Sequence, residues 1–356
     1  MITAKPRETF ELLDGLRGIC AICVVAMHIA DQYGLIYSIP HAYIAVPFFF
    51  MLSGIVISHA YEKGIMKNSN ILYFMTVRIE RLYPLLVMGI VISLSLNSIT
   101  HKWNYDGKIT LMILASIFLI PWPGQSLFPL LPPQWSLAIE LWGNLAHRLI
   151  VKRLHELELV LIIASGGIAM SYYAVRFGGL NIGWSLQNGI GGIAIFAFCY
   201  PCGILLYRLR DRGRLWQINA SLSLLIFALL ATIVTPTPLR TFANGMRDLI
   251  CVILIFPFIL ICSINLKATG IKKNISKWLG KISYPIYITH YPLVIFLTSI
   301  IIKLHLSKLF QYITVPVFLL MSILLSCLCL FLDVTIRVRL KSIRGNRAVA
   351  QPAAAP

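Results

Sequence analysis

The chain has 356 residues, 58% of them hydrophobic and 12% charged, with a formal net charge of +18 and a mean hydropathy of +0.81. Soluble domains carry about a quarter charged residues, so this composition excludes an ordinary water-soluble globule; apolar runs of about 20 residues, the length that crosses a hydrocarbon core, take the place of the missing charge. The positive excess does not mark a nucleic-acid binder, because basic residues collect on the cytoplasmic side of membrane proteins.

The N-terminal segment does not read as a cleavable signal: Lys5 and Arg7 are offset by Glu8, Glu11 and Asp14, and no small-x-small site follows a short apolar core. The first apolar run predicts a span over 18–36. Ionisable groups inside such spans are costly and are therefore functional candidates, and this span holds His28 and Asp31. His28 lies eleven residues after Arg17, which is three turns plus about 20° on a helix, so the two share one face about 16 Å apart along the axis. Arg17 is then at the membrane surface and His28 near mid-depth. Asp31, one turn further out, is placed to hydrogen-bond His28 and fix its tautomer.

Spans over 43–61 and 82–98 follow. Arg78-Ile-Glu-Arg81 enters the third; two arginines at i and i+3 suit forked contacts to phosphate, and the same pair suits ordinary anchoring at the cytoplasmic face. The apolar stretch 109–122 is short for a span. It lies beside Pro121, Pro123, Pro129, Pro132 and Pro133, so it predicts a re-entrant or interfacial element of irregular backbone lining a cavity. The fourth span, 134–150, opens on Gln134-Trp135-Ser136 and carries Glu140 about 9 Å below its start. A carboxylate there pairs with a buried Arg or His, or takes a proton from a substrate.

Further spans are predicted over 157–175, 186–206, 216–236, 248–266, 283–302 and 312–333. His290 lies about 10 Å into the ninth, between Pro285 and Pro292, which predict a kinked helix beside a cavity. The eight cysteines lie in or at the ends of apolar segments. Although Cys20-x-x-Cys23 and Cys199-x-x-Cys202 have zinc-like spacing, they read as small apolar packing residues, and no metal is implied. The chain is therefore expected to be one membrane domain over 1–341, with a basic, then Ala/Pro-rich and disordered tail over 342–356. No internal repeat of the transporter kind is visible.

Charge tests the count. With the N-terminus in the cytoplasm and 109–122 not crossing, the inner segments hold 24 of the 31 Lys and Arg residues. If 109–122 crossed, every later basic loop would face outward. The expectation is an all-α bundle of about ten spans with both termini cytoplasmic.

Taken together, these segments resemble the acyltransferase-3 family of bacterial membrane acyltransferases. The resemblance rests on Leu13-Asp14-Gly15-Leu16-Arg17-Gly18 with His28, an Arg-x10-His pattern, and on Phe49-Phe50-Met51-Leu52-Ser53-Gly54. Arg78-x-x-Arg81-Leu82-Tyr83-Pro84, Trp135-Ser136-Leu137-x-x-Glu140, and Ser283-Tyr284 through His290-Tyr291-Pro292 follow in family order. The second motif departs from the family, with Val46-Pro47-Phe48-Phe49 lacking the usual acidic residue, and the extracytoplasmic esterase domain fused to some members is absent. The resemblance implies transfer of an acyl group, usually acetyl, from cytoplasmic acetyl-CoA to a sugar hydroxyl on a lipid-linked or exported glycan in the bacterial inner membrane. It implies that Arg78 and Arg81 hold the coenzyme phosphates with help from Arg17, and that His28 is the general base or a transient acyl carrier. Glu140 binds or deprotonates the acceptor from the outer side, and Asp31, Ser53, Trp135, Tyr284 and His290 line the cavity. The protein then acts alone or hands its product to a separate periplasmic partner. The competing readings are a proton-coupled transporter or lipid-linked glycan flippase, for which intramembrane His and Glu are also suited, and a non-catalytic membrane scaffold.

Overall fold

The computed structural model describes residues 10–32, 39–63, 70–100, 107–216, 218, 220–305 and 308–349. Their regular structure is helical throughout. In order come α1 (Glu11–Gln32), α2 (Ala45–Ser58), α3 (Ile71–Thr100), α4 (Gly107–Ile117), α5 (Gln134–Leu149), α6 (Glu156–Phe177), α7 (Gly189–Asp211) and α8 (Leu222–Val234). Next, α9 (Phe242–Ile250) continues through a π turn into α10 (Phe256–Ser263), followed by α11 (Gly270–Lys303) and α12 (Lys308–Val349).

Eight helical stretches are long and apolar enough to cross a membrane. The shorter α5 (16 residues) and α8 (13 residues) lie at the two remaining predicted spans. The segment expected not to cross contains only the 11-residue α4. Irregular backbone follows over 118–133, held by amide bonds such as Trp122 N to Leu127 O (2.8 Å) and Leu127 N to Trp184 O (2.9 Å). The helices overrun the apolar runs: α1 starts at Glu11, α3 at Ile71 and α11 at Gly270. Hydropathy marks the lipid-length part of a helix, whereas the first turns of α1 and α11 carry charge and pair with one another. Lys273 and Lys277, for example, pair with Glu11 (3.3 and 3.5 Å). α12 stays helical to Val349, into the segment expected to be a disordered tail; 350–356, like Lys5 and Arg7, lie outside the described residues.

Two helix contacts place the site. In the first, α1 packs along α11. Arg17 meets Gly280 and Ser283, and His28 meets His290 and Tyr291, so the two helices run parallel. Glycine allows the approach: a Cβ on Gly18 would lie 2.5 Å from Leu279 Cβ and 2.6 Å from its carbonyl oxygen. In the second, α2 crosses α7 at Gly54 and Gly203, where a Cβ would sit 2.2 Å from Tyr200 O and 2.0 Å from Met51 O respectively. The bundle thus has an arginine end, near Arg17, Arg78 and Arg208, and a histidine end, near His28, His41 and Trp184. Cys20 and Cys199 are fully buried in the main apolar core, as packing residues.

Candidate active site

Two cavities open between the helices that the sequence marked. The first, about 120 Å³, lies toward the arginine end and is lined by Arg17, Arg78, Arg81, Ser53, Glu140 and Tyr284, among others. The second, about 240 Å³, lies toward the histidine end and is lined by His28, Asp31 and Trp135 together with Tyr43, Leu180 and Tyr291. Val46 and Tyr287 line both. Nine of the ten residues singled out from sequence therefore fall into two groups on either side of one partition.

In the first cavity the three arginines differ in kind. Arg17 is tied down: its Nε donates to Ser283 Oγ (2.9 Å), its Nη2 to Gly280 O (2.9 Å), and Asp14 Oδ1 is 3.0 Å away. Arg78 is 6% exposed, its guanidinium lies 5.0 Å from the Tyr61 ring centre, and its buried Nε has no hydrogen-bond partner. Arg81 is exposed. A buried guanidinium with a free donor is what an anion site looks like before its anion arrives. Glu140 accepts from Ser53 Oγ at 2.6 Å and interacts with Arg17 and Arg78. The resemblance implies that Glu140 serves the acceptor from the outer side; the structure places its carboxylate in the first cavity, among the arginines. Its helix starts deep, at a Gln134 that is fully buried and donates to Ser116 O (2.5 Å), so two turns carry Glu140 past the partition. Tyr284 Oη donates to Leu82 O (2.7 Å), tying α11 to α3 beside the same cavity.

In the second cavity the His28 ring stacks on His290 (centroids 5.3 Å apart, 25° between planes) and meets the Tyr291 ring edge-on at 5.3 Å. His290 is fully buried and lines neither cavity; it backs His28. Its Nδ1 lies 2.8 Å from Ile286 O. A carbonyl only accepts, so Nδ1 carries a hydrogen, and the buried Nε2 has no partner. Asp31 does not hydrogen-bond His28 among the described residues, contrary to expectation. It is exposed in the last turn of α1 and faces the cavity mouth, where water can solvate it. Trp135 packs its ring against Gly183 and Gly192 in the cavity wall.

Sequence reading missed three groups. Tyr287 Oη lies 2.8 Å from Ser136 Oγ and donates to Pro133 O (3.3 Å), which fixes its ring between the cavities. Asp248 accepts from Tyr43 Oη (2.9 Å), Leu180 N (2.9 Å) and Arg247 Nη1 (2.9 Å), and so anchors two wall residues of the second cavity. Its signal was an acid at the edge of an apolar run, the same cost argument that singled out Glu140. Glu62 forms a two-pronged pair with Arg208 (2.8 Å on each arm) and closes the arginine end between α2 and α7. The pairing is not visible in the sequence because the two partners are 146 positions apart.

A family model described as an acyltransferase domain matches residues 10–332. Protein 2 in the picA locus of Rhizobium radiobacter is 29% identical over 194 residues, which cover 49% of this chain and all of that protein. No solved structure matches the chain. With its all-helical bundle of membrane-length helices and the family match over nearly its whole length, the chain belongs to the acyltransferase-3 family of membrane acyltransferases.

Proposed function

We propose that this protein moves an acetyl group from cytoplasmic acetyl-CoA to a hydroxyl of a lipid-linked or exported glycan, in a bacterial inner membrane with both termini in the cytoplasm. The observation that carries this reading is the division of the site: arginines line one cavity, a histidine pair flanks the other, and the two share Val46 and Tyr287. On this reading the arginine end faces the cytoplasm, where the basic segments belong. Arg78, with its unpartnered Nε, and the exposed Arg81 receive the coenzyme phosphates. Arg17 contributes charge while its hydrogen bonds join α1 to α11.

At the other end His28 removes the proton of the acceptor hydroxyl. That oxygen bonds to the thioester carbonyl carbon, the carbon–sulfur bond breaks, and the proton ends on the sulfur, so the coenzyme leaves as its thiol. His290 is a positioning residue that holds the His28 ring flat against it. Glu140 orders Ser53 and the arginines instead of serving the acceptor. Trp135 and Asp31 offer an aromatic face and a carboxylate to a sugar entering from the outer side, where the product is released or passed to a separate partner.

The test uses inside-out membrane vesicles holding the protein and its native glycan pathway, supplied with acetyl-labelled acetyl-CoA. Alkali-labile label is expected on glycan, and His28→Ala at equal expression is expected to lower it by about 100-fold or more, the usual scale for losing a general base. Equal label in both removes His28 from the mechanism. No label above empty vesicles, with acceptor shown to be present, rejects the acetyl-CoA reading.

A further inference from the structure

The partition between the cavities includes one buried and one partly buried side chain of different freedom. Val46 is a branched aliphatic on α2, 8% exposed. Tyr287 is an aromatic ring that cannot swing freely: its hydroxyl is held by Ser136 Oγ (2.8 Å) and Pro133 O (3.3 Å), and the Phe49 ring meets it edge-on at 5.8 Å. A swing would take the Tyr287 hydroxyl away from both of its partners and leave the buried Ser136 Oγ with its bond to Pro133 O (3.2 Å) alone, which costs more than a rotamer change by itself. The cavity on the arginine side is the smaller of the two, and on the acyl-CoA reading an acyl group presented from that side toward His28 meets Val46 and Tyr287 first.

We infer that Val46 and Tyr287 form an acyl-length selector, with Ser136 as the positioning residue that holds the Tyr287 ring in place, so that the site accepts a two-carbon acyl group and rejects longer ones. This rests on the acyl-CoA reading above. A wall of this kind discriminates steeply, because one methylene too many in a close-packed apolar pocket forces side chains off their rotamers. Neither residue touches the arginines that hold the coenzyme on that reading, so acyl length and coenzyme affinity are separable quantities.

The experiment measures binding of purified full-length protein to coenzyme A and to acetyl-CoA and butyryl-CoA analogues in which CH2 replaces the thioester sulfur, so that no acceptor is needed and no transfer occurs. The wild type is expected to bind the acetyl analogue about tenfold or more tighter than the butyryl one. Val46→Ala is expected to bring the two within about threefold, and Tyr287→Phe and Ser136→Ala to narrow the ratio by unpinning the ring, with coenzyme A as the reference in each variant. Tyr287→Phe keeps the ring's volume and serves if Val46→Ala does not fold. Coenzyme A binding with no length preference in the wild type, or with an unchanged ratio in Val46→Ala and Tyr287→Phe, overturns the selector and leaves the acyl-CoA reading intact. Failure of the wild type to bind coenzyme A at all overturns both.

Discussion

Arg17 and Arg78 carry the same charge into the same cavity and have opposite tasks. Arg17 spends its donors on Ser283 and Gly280 and pairs with Asp14, whereas Arg78 keeps a buried Nε without a partner. A lysine cannot copy either arrangement, since it offers one compact ammonium in place of a planar fork. Arg78→Lys is therefore expected to weaken coenzyme A binding by roughly 10- to 100-fold, the scale of one charge-assisted hydrogen bond, with little change in thermal stability. Arg17→Lys is expected to lower the thermal midpoint of the purified protein because it loosens α1 from α11. Isothermal titration and a melting curve on each variant separate the two, and an unchanged coenzyme affinity in Arg78→Lys would remove Arg78 from the donor site. Arg17 and His28 could be singled out together because a helix puts residues eleven apart on one face, and Arg78 and Arg81 because they sit at i and i+3. That Glu140 lies among the arginines was not legible, because its position depends on where α5 begins, and that is set by the burial of Gln134 against Ser116, a contact between segments that hydropathy cannot pair.

At the scale of the element, the site exists because two parallel helices come very close. The Arg17–Ser283 bond and the His28–His290 stack both lie along the α1–α11 seam, and Gly18 sits between them in sequence. The atoms a new methyl at Gly18 would meet include the Leu279 carbonyl carbon at 2.7 Å, which is backbone and cannot step aside cheaply. Gly18→Ala is expected to destabilise the bundle by about 1–3 kcal/mol, the usual cost of overpacking, and to lower activity by displacing His28 from His290. Gly107→Ala is the control, because its methyl would meet nothing within 4 Å. Equal melting points for the two variants would show that the seam is not the constraint proposed. Apolar runs of membrane-crossing length made the presence of these helices legible. It could not show their first turns, since residues such as Lys273 and Lys277 look like loop until Glu11 is placed beside them.

At the scale of the molecule, the expected orientation rests on charge, and the number of crossings decides which ends share a side. The positive-inside count predicted that 109–122 does not cross, and α4 with its irregular continuation is too short to do so unaided. The weakest pass is α8, whose 13 residues reach only about 20 Å against a hydrocarbon core of about 30 Å. Its far end is nonetheless docked at the histidine end, where His41 N donates to Ile233 O (3.3 Å). A short helix in a packed bundle can cross if the bilayer thins beside it or the flanking chain completes the distance. Arg153, at the arginine end, and Thr235, just past α8, are both exposed and are separated by α6, α7 and α8. An odd number of crossings puts them on opposite sides; if α8 did not cross, they would share one. A membrane-impermeant maleimide is thus expected to label Arg153→Cys in inside-out vesicles alone and Thr235→Cys in right-side-out vesicles alone, with the unsubstituted protein as background. Labelling of both from the same side would remove α8 from the count and turn every later helix over, which would place the ends of α1 and α12 on opposite faces although Arg337 of α12 donates to Arg81 O beside the cavity that Arg17 of α1 also lines.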